Sequence, residues 1–82
     1  MKKLFYHAVF HIAEEGGYWV TFPDFPECLT QGENMQEAYD MAIEALGLVL
    51  TDNINDRKEL PEPTSITHVD DGVIVIIPYD YS

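Results

Sequence analysis

Three histidines, one cysteine and fifteen aspartates and glutamates are the side chains of this 82-residue chain that could do chemistry. His7 and His11 lie four residues apart in a segment that reads as extended. They share a face but stand roughly 13 Å apart at about 3.3 Å per residue, too far for one metal ion to be held by both. They read as structural or interface histidines. His68 sits beside Asp70 and Asp71, an arrangement able to hold a cation weakly, for which a solvated loop is the simpler reading. Cys28 follows Pro26-Glu27, and a neighbouring negative charge raises a thiol pKa. It reads as a small, partly buried residue that, standing alone, forms no internal disulfide. Gly16-Gly17 joins two strands rather than opening a helix, so it is not a phosphate-cradling loop.

The carboxylates raise one further chemistry, two-metal nucleic-acid cleavage. That needs three or four acids converging from a first strand, a helix and the end of a last strand. Leu4–Ala13 contains no acid and neither does Val73–Ile77, while Glu37, Asp40 and Glu44 fall on the water side of the helix. The expectation is therefore a non-enzyme with no catalytic, cofactor-binding or metal-ligating residue.

The elements that must position these groups are readable from periodicity. Leu4–Ala13 is a strand with Leu4, Tyr6, Ala8, Phe10 and Ile12 on one face and Phe5, His7, Val9 and His11 on the other. Glu14-Glu15-Gly16-Gly17 is a turn, its glycines free to take positive φ. Tyr18–Phe22 alternates again, with Trp19 and Thr21 opposite Tyr18, Val20 and Phe22, completing a hairpin. Pro23-Asp24-Phe25-Pro26 stops the second strand. A short third strand over Cys28–Gln31 follows, and Gly32 opens the next turn. Asn34 to Asp52 is a helix capped by Asn34 with Glu37 in a capping-box position. Met35, Ala38, Ala42, Ala45, Leu46 and Val49 form its buried stripe. Gly47 costs about 1 kcal/mol against alanine there, which predicts close packing or a bend.

Residues 51–72 are irregular, with Pro61-Glu62-Pro63 ending a possible helical turn. Val73–Ile77 is a run of β-branched residues that reads as a central strand buried on both faces. The order β-β-β-α-β predicts one α+β domain over residues 1–82, two layers thick, with sheet order 3-2-1-4. A helical crossover predicts the last strand parallel to the first. The other sheet face carries Trp19, Phe5 and Val9, and an apolar face without a covering layer invites a partner.

Charge narrows the partners. Four lysines and arginines against fifteen acids leave a net −11 and a pI near 4.2. Such a chain repels phosphate, which argues against nucleic acid and anionic membrane. Residues 1–32 carry two lysines and four acids, whereas residues 33–82 carry Arg57 and Lys58 against eleven acids. This is either a solubilising surface or steering toward a basic macromolecule. Lys2-Lys3 before apolar residues imitates a signal peptide, but His7, His11, Glu14 and Glu15 interrupt it. No run approaches the ~18 apolar residues of a membrane span. A cytosolic protein is expected.

From Gly16-Gly17-Tyr18 through Phe22-Pro23-Asp24-Phe25-Pro26-Glu27-Cys28 and Thr30-Gln31-Gly32 to Glu37-Ala38, the chain resembles the HicB antitoxin family. The family's pattern runs GGY-x-V-x-FPDLPGC-x-TQGDT-x-EEA, then a helix containing EAL, matched by Glu44-Ala45-Leu46. Pro61 and Pro63 match a proline pair placed before its last strand, so the likeness covers nearly the whole chain. It implies a partly degraded ribonuclease H-like fold, whose core shares the 3-2-1-4 order. It also implies that the partner is HicA, a small basic mRNA-cleaving toxin with a catalytic histidine. The antitoxin acts by covering the toxin's RNA-binding and catalytic surface. Gly16, Gly17, Pro23, Pro26, Gly32, Asn34 and Glu37 are the structural positions of the motif.

Two departures are visible. Glu27 stands where the family usually has glycine. Family members commonly continue into a C-terminal DNA-binding module, which is expected to be absent from this chain: it stops at Pro78-Tyr79-Asp80-Tyr81-Ser82, so either this is a fragment or this member has no autoregulatory module. Operator binding is therefore not expected of these residues. Trp19, with Asp24, Phe25 and Glu27 at the acidic corner, is the candidate partner-binding group; core packing is the competing reading for Trp19, and the turn's own hydrogen bonds for Asp24. Self-association through two unpaired sheet edges is expected. The alternatives are a stand-alone HicB-like domain with no cognate toxin and, last, a residual metal-dependent nuclease.

Overall fold

Strand alternation divides the molecule into its layers. The computed structural model describes residues 2–81. In β1 (Lys2–Ile12) Tyr6, Ala8 and Phe10 are buried, while Phe5, just before Tyr6 and on the opposite face, is half exposed. β2 (Tyr18–Phe22) pairs with it antiparallel, His11 opposite Trp19 and Val9 opposite Thr21. The turn between them closes through Ala13 N–H to Gly17 O and Gly16 N–H to Ala13 O, both 3.1 Å. Gly16 and Gly17 take φ of +101° and +80°, conformations that side chains with a Cβ rarely adopt.

β3 (Phe25–Gly32) starts three residues earlier than expected. The Pro23-Asp24 corner stops β2, but β3 resumes at once with Phe25 opposite Phe22 across a register shift. Pro26 is tolerated because β3 is an edge strand with no neighbour on one side.

Gly32 hands the chain to α1 (Met35–Asn55), and a Cβ at Gly32 would collide with the Ala38 backbone. Asn34 Oδ1 accepts from Glu37 N–H at 2.8 Å, and Glu37 Oε1 accepts from Glu33 N–H at 2.9 Å. The expected cap is thus present, its reciprocal arm reaching one residue before Asn34. Ala38, Ala42, Leu46 and Leu50 are completely buried, and Ala45 and Val49 pack beside them. Met35 is not in the stripe: as the first helical residue it precedes the turn that meets the sheet and is 38% exposed. Leu50, one turn beyond Leu46, extends the stripe. A Cβ at Gly47 would meet nothing within 4 Å, so it serves no close packing. Arg57, at φ 58°, turns the chain out of the helix.

The sheet order is β3-β2-β1-β4, as expected, but β4 (Val73–Tyr81) corrects two expectations. It is an edge strand, with Val73 and Ile76 about half exposed, and it runs antiparallel to β1, Tyr6 opposite Ile77 and Phe10 opposite Val73. A parallel strand would have to start at the end of the molecule where α1 finishes. Instead the segment after α1 is pegged there: Tyr6 Oη–H donates to Pro61 O at 2.7 Å, and Asp24 accepts from Thr64 N–H at 2.9 Å and from Thr64 Oγ1–H at 2.5 Å. The chain then returns to the opposite end, where Gly72 at φ +103° lies against Phe10 O, and β4 comes back down.

The helix and the inner-facing residues of all four strands enclose one core. No described helix is long and apolar enough to cross a membrane.

Candidate partner-binding surface

The strand residues that point away from α1 build the second face of the sheet. On it Phe5 is 50% exposed, Trp19 42%, Leu29 65% and Ile76 51%. Val9, expected among the exposed residues, is buried at 6%. His7 lies between Phe5 and Val9 on the same face, its Nδ1 buried without a hydrogen-bond partner. His11 is engaged: its ring stacks on Trp19, centroids 3.8 Å apart and planes 16° apart, and its Nε2 hydrogen-bonds Thr21 Oγ1 at 2.9 Å. Strand pairing brings these three residues together, because Trp19 sits directly across from His11 and Thr21 is next along β2.

The four candidate residues separate in space. Trp19 stands on the open face, while Glu27 is exposed on β3. Asp24 spends both carboxylate oxygens on Thr64, forty residues away, rather than on its own turn. Phe25 is 3% exposed and packs edge-on against Tyr6 with centroids 5.1 Å apart, so it braces the corner from inside and presents no surface. Leu29 and Ile76 are the surface residues that sequence reasoning passed over, whereas His11 was read as a structural or interface histidine. The signal for Leu29 was present, since it alternates with buried Cys28.

The titratable groups offer little for bond-making chemistry. Burial, and then the Glu27 charge, pushes the Cys28 thiol up from its ordinary value, the direction that suppresses thiolate. Burial and the Asp24 charge likewise raise the Tyr6 phenol, which stays a donor to Pro61. His68 lies 3.2 Å from Asp70 with both side chains in water. Among the described residues no three His, Cys, Asp or Glu side chains gather as a metal site. Glu37, Asp40 and Glu44 are all exposed on α1, away from the sheet.

Charge is polarised along the molecule. The end formed by the β1–β2 turn, the start of α1 and the residues before β4 carries Glu14, Glu15, Glu33, Glu37, Asp70 and Asp71 with no lysine or arginine. All four basic residues belong to the other end, where they partly offset Asp24, Glu27, Asp52, Asp56, Glu59, Glu62 and Asp80: Lys2 and Lys3 begin β1, and Arg57 and Lys58 share a cleft with Leu4, Tyr6, Glu59 and Glu62. Trp19 borders the acidic end. It walls a hollow of about 510 Å³ with Glu15, Gly17, Glu33 and Glu37, and a second of about 470 Å³ with Leu29, Thr30 and Gln31.

Comparison with known proteins agrees with this outline. Antitoxin HicB 1 of Photorhabdus laumondii is 41% identical over 63 residues, 77% of this chain and 41% of that protein. Antitoxin HicB of Escherichia coli K12 is 41% identical over 58 residues, covering 71% and 42%. The chain thus spans about two-fifths of the length of these relatives. A UPF0150 protein of Synechocystis is 38% identical over 56 residues, 67% of this chain and 78% of that protein. Among solved structures, a toxin–antitoxin complex from Streptococcus pneumoniae superposes with a TM-score of 0.83 at 27% identity, over 96% of this chain and 70% of that one. The model of the HicB-like antitoxin of bacterial toxin–antitoxin systems matches residues 5–80, and the chain belongs to that family.

Proposed function

We propose that this chain neutralises a small, basic, RNA-cleaving toxin of the HicA type by covering the surface with which the toxin binds and cuts RNA. Family membership supports the antitoxin role, and the observation that carries the mechanism is the net charge of −11. A toxin that grips phosphate must present lysines and arginines, and a carboxylate-rich surface competes for the same contacts while raising the encounter rate. The chain acts by occupancy, with no turnover of its own, in the cytoplasm. Operator binding is not assigned to residues 1–82. The ribonuclease H kinship is proposed on strand order alone, because β4 runs antiparallel to β1 where a right-handed helical crossover would make it parallel.

Coexpression with a HicA-type toxin tests the role: the growth arrest that the toxin causes is relieved. Raising salt from about 0.05 to 0.5 M slows association markedly, because screening shortens the reach of the field. Complex formation indifferent to salt would remove steering from the mechanism.

The second reading, a stand-alone binding domain without a cognate toxin, is favoured by one observation: the match to the Synechocystis protein takes in most of that protein's length. Unrelieved arrest in the coexpression experiment selects it.

A further inference from the structure

We propose that the surface centred on Trp19, with Leu29 beside it and Glu15 and Glu33 at its rim, is the docking site for a basic protein surface. This rests on the antitoxin reading and names the contact that reading leaves open.

Trp19 and Leu29 are 42% and 65% exposed although both lie within paired strands. Folding does not need them on the surface, since their alternate neighbours Val20 and Cys28 do the packing. Trp19 rises between the two hollows of about 510 and 470 Å³, a ridge that a complementary surface can straddle. It is also held before any partner arrives: His11 covers one face of the indole, and Thr21 fixes His11. An anchor already ordered loses little conformational freedom on binding, and central aromatic anchors carry much of the affinity of protein interfaces.

The chemistry of the occupant follows from the rim. Glu15, Glu33 and Glu37 line the first hollow beside Trp19, and no lysine or arginine lies at this end of the molecule. An arginine or lysine entering there meets carboxylates and an indole, which attracts cations at its face. A second copy of the chain would bring another −11 and the same carboxylates, so charge opposes it as occupant. The other apolar spot on this face, Ile76 and then Phe5, lies about 13 to 20 Å further along β1, beside Lys3. There the one acid, Asp80, is paired with Lys3 at 3.6 Å, so no unmatched carboxylates rim the spot.

Calorimetric titration of the chain with a HicA-type toxin, inactivated at its catalytic histidine, tests the assignment. Trp19→Ala and Leu29→Ser each weaken binding at least about tenfold. Glu15→Gln with Glu33→Gln slows association and flattens its salt dependence. Ile76→Ser and, on the exposed side of α1, Leu48→Ser stay within about twofold of the parent chain. Leu29→Ser is the safeguard against misfolding, because a residue this exposed contributes little to the core, and circular dichroism verifies each variant. If Ile76→Ser or Leu48→Ser weakens binding while Trp19→Ala and Leu29→Ser do not, the docking surface lies elsewhere and the antitoxin reading stands. If the parent chain itself does not bind, that reading fails and the assignment falls with it.

Discussion

The two faces of one sheet are covered to very different extents. Tyr6, Phe10, Val20, Phe22 and Ile77, all pointing toward α1, are at most 1% exposed. Phe5, Trp19, Leu29 and Ile76, alternating with residues of the first set along the same strands or lying next to them, are about half exposed. The backbone treats both sets alike, since each strand residue is held by the same ladder whichever way its side chain points. The difference lies in what covers them. Side chains against the helix give up their water and stabilise the fold by about 25 cal/mol per Å² of apolar area, whereas those opposite leave part of that gain available to association. On the proposed reading the two faces answer to different equilibria, folding for one and binding for the other.

Substitutions can break that contrast or sharpen it. The largest effect is expected at Phe10→Ala, on the covered face, which removes a fully buried ring. A loss of about 3–5 kcal/mol in urea denaturation is expected, a large part of the margin of a domain this size. At the N-terminus of the layer that does the covering, Asn34→Ala deletes the bond to Glu37 N–H and costs about 1 kcal/mol, read as a lower thermal midpoint. Gly47→Ala has the opposite sign. With open space where the methyl group would stand, it raises stability by about 0.5–1 kcal/mol in the same assay. On the open face, Leu29→Ser shifts stability by less than about 0.5 kcal/mol. A loss there as large as that of Phe10→Ala would mean that both faces serve the fold and would erase the contrast.

Much of the molecule was legible in residue order. The first hairpin, the Asn34 cap and the alanine-rich stripe follow from short-range rules: period two, period 3.6, turn glycines and capping side chains; the 3-2-1-4 order came from the crossover rule, which set β4 beside β1 but in the wrong direction. Where those rules misled, the competing influence was tertiary. Five β-branched residues at Val73–Ile77 resemble a doubly buried strand, yet they form an edge, because residues 56–72 bring the chain back along the molecule before β4 begins. Phe25 beside Asp24 looked like part of an acidic, aromatic corner. Its ring turns inward to Tyr6 because β3 resumes directly after the corner and its alternation places Phe25 on the covered side. The Trp19 surface was half legible: the outward position of the indole follows from alternation, whereas its stacking on His11 depends on the register of the hairpin.

The amino-acid sequence alone determined the acidic balance, the positions of β1, β2 and α1, and which residues of each strand share a face. These properties are set by composition or by neighbours within a few positions, whose interactions form whatever the rest of the chain does. Only the tertiary structure decided the direction of β4, the bonding of Asp24 to Thr64 and of Tyr6 to Pro61, and the gathering of all basic residues at one end. Those depend on contacts between residues forty or more positions apart, which exist only after the layers have packed.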